Sequence, residues 1–409
     1  MTTTIHDPAT DRAAFDAFLD RLRAGACDRE ANRTLLHAEI EELRALGFAS
    51  WRLPPELGGA GLGFEELIAR VIDLAAADAS LGHLVRGHVA FVEQLLADGL
   101  GTRPLTERER RWVARLNRGE FVGNAQSERQ ETAVLSTRLD TDGGVLRLTG
   151  TKYYTTGSIY ADWIHLAALD GDERVAVTVD ARQPGVRSID DWDGFGQLLT
   201  GSGTTTFDGA LVDPEDVERS AGTPGAWNHL GVVFQLVLLA AIAGIARTAL
   251  DDAVAYVRPR RRTFGFAGET PPREDPLVQQ VVGRLSSVAL SARELVLGVA
   301  RRADAALEGL RAGRLGPDDL QPVLLDVYRI QQVVPPLVLD ATTELFEVGG
   351  ASAVSRTTAL DRHWRNVRTI ASHNPAAQRA RALGQFELLG TLPAWSAPGA
   401  PARDPETTS

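Results

Sequence analysis

Between Arg219 and Leu250 this chain has no acidic residue, and from Gly231 to Ala246 it is apolar except for Gln235. The run falls short of the roughly 20 residues that span a bilayer. As a helix it would be hydrophobic on every side, so other elements must wrap it. Three further segments with helical spacing are available for that: 276–313, 317–348 and 355–390. With 227–258 they predict an antiparallel four-helix bundle. Pro335-Pro336 should kink or interrupt the third helix.

The rest of the chain reads differently. Residues 10 to about 118 are helical: Ala14, Phe15, Phe18, Leu19 and Leu22 recur at helical spacing, as do residues from Leu35 to Leu46. Leu53 to Gly63, rich in Pro and Gly, breaks the pattern before helices at Phe64–Ala76 and Leu81–Leu96. From Phe121 to about Val217 the signals are short β runs, at 133–139, 145–150, 163–169, 175–179 and 203–207. The expected fold is therefore mainly α with a central β-domain: a helical domain at 1–118, a β-domain at 119–220, a C-terminal bundle at 221–392 and a mobile tail at 393–409.

Charge and cysteine usage narrow the setting. A net charge of -11 argues against nucleic acid or an anionic membrane as partner. Cys27 is the single cysteine, which excludes an intrachain disulfide or a Cys-based metal site and suits a reducing cytoplasm. The N-terminus has neither a basic region nor an apolar core, so no signal peptide is expected. Lys152 is the only lysine among many arginines. Arg258-Pro-Arg-Arg-Arg262 gathers four arginines in five positions, an arrangement suited to gripping phosphate.

Asp361-Arg-His-Trp-Arg-Asn-Val-Arg-Thr-Ile-Ala-Ser-His-Asn-Pro375 resembles the last helix of the acyl-CoA dehydrogenase superfamily. Its His-Asn-Pro ending is similar to the flavin monooxygenase branch. Gly123-Asn-Ala-Gln-Ser-Glu128 also looks like that branch, as does Asp190-Asp-Trp-Asp-Gly-Phe-Gly. Thr149-Gly-Thr-Lys-Tyr-Tyr-Thr-Thr-Gly157 resembles the strand that lines the flavin.

The resemblance implies roles. Asn124, Thr156 and His373 would be catalytic, bonding a flavin hydroperoxide and its N5. Asn124, Ser127, Glu128, Arg129, Lys152, Thr156, Arg262, Ala351, Ser352 and His373 would hold the cofactor, with Arg262 reaching a neighbouring subunit's phosphate in a homotetramer. His88, Phe91 and Trp192 would line the substrate pocket, and His83 is weighed with His88. No metal ligand is expected.

Dehydrogenases of this fold need a carboxylate to remove an α-proton. Laid on that pattern the position falls on Asn374, an amide that cannot take a proton. The alternative place for a base, the first bundle helix, has no acid either. Losing the base removes on the order of 10²–10⁴ in rate. Oxygen transfer has no such need. No Gly-x-Gly-x-x-Gly fingerprint follows a strand. The resemblance thus implies a two-component monooxygenase that uses O₂ and reduced FMN from a separate flavin reductase on a small organosulfur, amine or aromatic substrate. The alternatives are an FAD-dependent acyl-CoA dehydrogenase or oxidase, and a silent flavin-binding paralogue.

Overall fold

The computed structural model describes residues 8–129, 135–219, 226–262 and 270–393. The expected tail from 394 onward and the start of the first expected β run lie outside the described residues.

Six helices come first: α1 (Pro8–Asn32), α2 (His37–Ala45), α3 (Phe64–Ala77), α4 (Ala79–Leu84), α5 (Arg86–Ala97) and α6 (Glu107–Asn117). The strands follow: β1 (Val122–Ala125), β2 (Arg138–Asp142), β3 (Val145–Lys152), β4 (Trp163–Asp170), β5 (Glu173–Asp180), β6 (Val186–Ser188), β7 (Thr205–Val212) and β8 (Val217–Glu218). The chain then returns to helices: α7 (Ala226–Val257), α8 (Pro276–Arg311), α9 (Gln321–Glu344), α10 (Asp361–Ala371) and α11 (Ala376–Leu389).

Helix α7 is the axis of the molecule. Within its Asn228–Val257 stretch an 18-residue window has a mean hydropathy of 2.2, so the helix is long and apolar enough by composition to cross a membrane, which corrects the expectation that it falls short. Yet 89% of its apolar window is buried inside the protein, in the core it shares with α3, α8 and α9. The polar break in the run has a purpose: Gln235 Oε1 accepts from Gln331 on α9 and from Asn374 after α10, both at 2.7 Å.

The eight described strands form one sheet in the order β6-β7-β3-β2-β4-β5-β8, with β1 pairing parallel to β4 beside that path. Alternation holds where one face is covered. In β7, Thr205, Phe207, Ala210 and Val212 point inward, and Leu148 of β3 lies in the same small core.

Of two expectations about the bundle, an interruption at Pro335-Pro336 is not seen, and the single last helix is corrected. Helix α9 runs through Pro335 and Pro336 without interruption. Burial of Val334 and Val338 in the main core works against the cost of the two prolines, roughly 3 kcal/mol each. The segment expected as one helix at 355–390 is two. Pro375 disfavours helical geometry at the residue before it, so α10 stops at Ala371 and α11 starts at Ala376. His373 therefore sits in a tight turn.

Candidate active site

The α10–α11 turn meets the α4–α5 junction, α10 meets the loop from Phe195 to Ser202, and α5 meets the end of β1. Helix α10 holds that loop in place. Its Asn366 Oδ1 accepts the Gln197 N–H at 2.6 Å, and Arg365 donates to the Phe195 carbonyl at 2.9 Å. The approach is close enough to require Gly196, where an added Cβ would stand 2.3 Å from the Arg365 carbonyl. Gln197 itself is held at φ +56°, a left-handed conformation that costs of order 1–3 kcal/mol. On the other side, Gly87 lets α5 press on β1: a Cβ there would lie 2.7 Å from Asn124 Cβ.

The strained Gln197 is turned toward a histidine. Its Oε1 lies 3.0 Å from His83 Nδ1, so His83 carries its proton on Nδ1. His83 Nε2 and Gln197 Nε2 are buried without a hydrogen-bond partner among the described residues. His373 faces this pair, its ring centroid 6.4 Å from that of His83. Arg86 Nη1 donates to His373 Nε2 at 3.1 Å, which places the His373 proton on Nδ1. The Arg86 guanidinium holds His373 well below the usual imidazole range, aided by burial and by His83. Burial, with Arg86 adding to it, pushes His83 down to about 4. Both rings are neutral at pH 7. One presents a lone pair and the other an N–H.

From the β-domain side comes a chain of hydroxyls. Thr156 Oγ1 is 2.7 Å from Ser202 Oγ, which is 2.7 Å from Thr200 Oγ1. Thr200 in turn donates to the Gln197 carbonyl at 2.9 Å. Each hydroxyl has one proton, and the terminal carbonyl can only accept. All three bonds exist together only if Ser202 donates to Thr200 and Thr156 donates to Ser202. Thr156 is then left as an acceptor for anything placed against it. Asn124, 9% exposed, has a side-chain amide with no hydrogen-bond partner among the described residues.

Other sequence candidates fall elsewhere. His88 is corrected from pocket to core: it is 1% exposed, Nε2 donates to the Ala49 carbonyl at 3.2 Å, and Nδ1 accepts the Val122 N–H at 3.2 Å. Phe91 is likewise core, edge-on to Trp112 at 4.5 Å. Lys152 does not offer a free charge, since its fully buried ammonium pairs with Glu128 at 2.7 Å. Glu128 also binds Ser136 and Thr137 and so ties β-domain segments together. Ser127 accepts the Tyr153 N–H at 3.0 Å through its carbonyl, while Arg129 stacks over the Tyr153 ring at 5.0 Å. Trp192 turns into its own loop, its indole N–H on the Gly196 carbonyl at 3.1 Å.

Arg262, Ala351 and Ser352 are exposed and belong to the far end of α7. Gly349, two residues before Ala351, packs on Tyr256, whereas Phe234 packs on Arg86. Those α7 positions are roughly 33 Å apart along the helix. Within one chain, these three cannot share a flavin ring with Thr156 and His373. Arg86, Gln197, Thr200 and Ser202 were not singled out by the sequence. The one signal available was Arg86 itself, set in a stretch from Leu81 to Phe91 with no other Arg, Lys, Asp or Glu.

The geometry matches a known group of proteins. Residues 236–378 match the C-terminal domain of acyl-CoA dehydrogenase, and residues 11–120 match its N-terminal domain. Dibenzothiophene monooxygenase of Rhodococcus qingshengii is 30% identical over 395 residues, covering 91% of this chain and 92% of that one. The chain belongs to the acyl-CoA dehydrogenase superfamily, in its flavin-dependent monooxygenase branch. A probable FMNH2-dependent monooxygenase, SfnC of Pseudomonas putida, is 27% identical over 376 residues, with 90% and 92% covered. The complex of TdsC from Paenibacillus sp. A11-2 with FMN and indole superposes with a TM-score of 0.83 at 28% identity, covering 94% of this chain and 98% of that one.

Proposed function

We propose that this protein is the oxygenase of a two-component system, taking reduced FMN from a separate flavin reductase and inserting one oxygen atom from O₂ into a small organosulfur substrate. The observation that carries the reading is the site itself: two neutral histidines, an unpartnered amide and an acceptor hydroxyl, with no carboxylate hydrogen-bonded to any of them among the described residues. Asn374, where a dehydrogenase base is expected, donates to Gln235 and holds the turn. The relatives point the same way, through their FMN complex and their activity on dibenzothiophene.

The residues present suit a reduced flavin. Reduced flavin carries an N–H at N5, a donor, and Thr156 is left as an acceptor by its hydroxyl chain. Asn124 supplies an amide able to give or take a hydrogen bond at the same ring edge. FMN, when bound, supplies the activation of O₂. His373 Nδ1–H would donate to the oxygen that is transferred, and the His83 Nε2 lone pair would receive a proton. Burial of His83, Thr156, Gln197 and Ser202 keeps water from that exchange.

Arg262, Ala351 and Ser352 serve this scheme only in an oligomer, reaching the cofactor phosphate of a neighbour. A homotetramer in the cytoplasm is the assembly that fits. A test is single turnover with photoreduced FMN, ¹⁸O₂ and a panel of sulfides, sulfinates and amines. One ¹⁸O atom in a product supports the reading. Bleaching of bound FAD by an acyl-CoA without O₂ opposes it.

A further inference from the structure

Three arginines are buried among the described residues, and two have acidic partners: Arg70 pairs with Glu66 at 2.9 Å and Arg362 with Asp252. Arg86, 8% exposed, has none within 4 Å among the described residues. Its Nε donates to the Phe234 carbonyl at 3.0 Å, its Nη1 goes to His373, and its Cζ lies 4.6 Å from the Phe234 ring centroid. No hydrogen bond among the described residues uses Nη2. An uncompensated buried guanidinium is unfavourable unless something neutralises it. Burial indeed pushes Arg86 down to about 10.

The surroundings are donors. Gln197 Nε2 is buried and unpartnered among the described residues, and His373 Nδ1–H, now turned to Asn374, is the nearest further donor. These groups belong to the helical wall, formed by α5, α7 and the α10–α11 turn with the loop that α10 holds. Thr156 and Asn124, which suit the flavin, come from the β-domain. A substrate would lie between a flavin held by those two residues and this wall.

We infer that the substrate carries a compact oxyanion, a sulfinate, sulfonate or carboxylate, that seats on Arg86 with help from Gln197 and His373. This rests on the monooxygenase reading for the word substrate, and on geometry alone for the anion site. Arg86 presents a planar fork that can meet two oxygens of such a group at once.

The test is calorimetric titration of the FMN-loaded protein with benzenesulfinate and, separately, with its neutral counterpart methyl phenyl sulfoxide, in wild type, Arg86→Gln and Arg86→Lys. Wild type should bind the anion on the order of 30-fold more tightly than the sulfoxide. Arg86→Gln should lose that preference, and Arg86→Lys should keep part of it while folding as wild type does. Equal binding of both ligands by wild type, or a preference that survives in Arg86→Gln, overturns the inference. So does an Arg86→Gln variant that loses reduced FMN while still preferring benzenesulfinate, since Arg86 then serves the flavin. Anion preference without any oxygenated product would sustain the anion site and sink the monooxygenase reading. Oxygenation of neutral sulfides unaffected by Arg86→Gln would do the reverse.

Discussion

Arg52 and Arg86 both sit in the helical part of the molecule with little exposure, and they are treated in opposite ways. Arg52 meets Glu93, which is fully buried and also takes His229 Nε2 at 2.9 Å. That cluster is closed. Burial alone would raise the Glu93 carboxyl, but Arg52 and His229 hold it down at about 2. Burial would likewise lower the Arg52 guanidinium, and Glu93 holds it above its ordinary value. Arg86 meets a carbonyl, a neutral imidazole and an aromatic ring, and its field depresses two histidines instead of being absorbed by an acid. A closed cluster supports the fold. An open one, beside an unpartnered amide and a strained loop, is where a ligand completes the structure.

The difference can be broken at either end. The largest effect should come from Glu93→Ala, which leaves Arg52 buried without its partner and should destabilise the fold by about 3–5 kcal/mol in chemical denaturation. Arg86→Gln removes a charge that had no acid, and should change stability by less than about 1 kcal/mol. If the two variants are equally unstable, Arg86 is structural and the contrast fails.

A second prediction concerns the core histidine. Burial holds His88 at about 4 against 6.5 for the free side chain. The folded form therefore binds fewer protons than the unfolded one, and stability is lost as pH falls from 6.5 toward 4. His88→Gln should lose about 3 kcal/mol less than wild type between pH 7 and pH 4. Identical pH profiles would mean that His88 takes no part in acid sensitivity.

In the open site, His373→Ala should leave reduced FMN bound but lower the yield of oxygenated product per flavin by about 10²-fold, with hydrogen peroxide in its place. Unchanged coupling would remove His373 from the chemistry. The smallest effect belongs to the hydroxyl chain. Ser202→Ala frees the Thr156 proton, and should narrow the preference for reduced over oxidised FMN by about 1 kcal/mol, read as a shift in the bound flavin's reduction potential. A potential equal to wild type would show that the chain's direction does not matter.

The fold was legible because its signals are strong and local. An apolar run without acids between Arg219 and Leu250 demands a bundle, and alternating strands between Gly-rich turns demand a sheet. Pro375 was a local signal for the turn that displays His373, although the spacing over 355–390 predicts a single helix. Pro335-Pro336 does not interrupt α9, where tertiary burial works against the local preference. Within the site, Asn124, Thr156 and His373 were reached through a resemblance; in the structure they meet Gly87, Ser202 and Arg86 respectively. His88 and Phe91 share the helical spacing of a pocket face with core residues, so sequence could not separate the two. Arg86 and Gln197 were missed because their meaning depends on what fails to pair with them, a property of the assembled fold.

The central claim is that this carboxylate-free site uses reduced flavin and oxygen. Stopped-flow absorbance of the protein loaded with photoreduced FMN, mixed with oxygenated buffer, tests it most directly. The account predicts a transient spectrum distinct from both reduced and oxidised flavin, shorter-lived in His373→Ala. A single-phase return to oxidised FMN at the rate of the free cofactor, in wild type and variant alike, would contradict it.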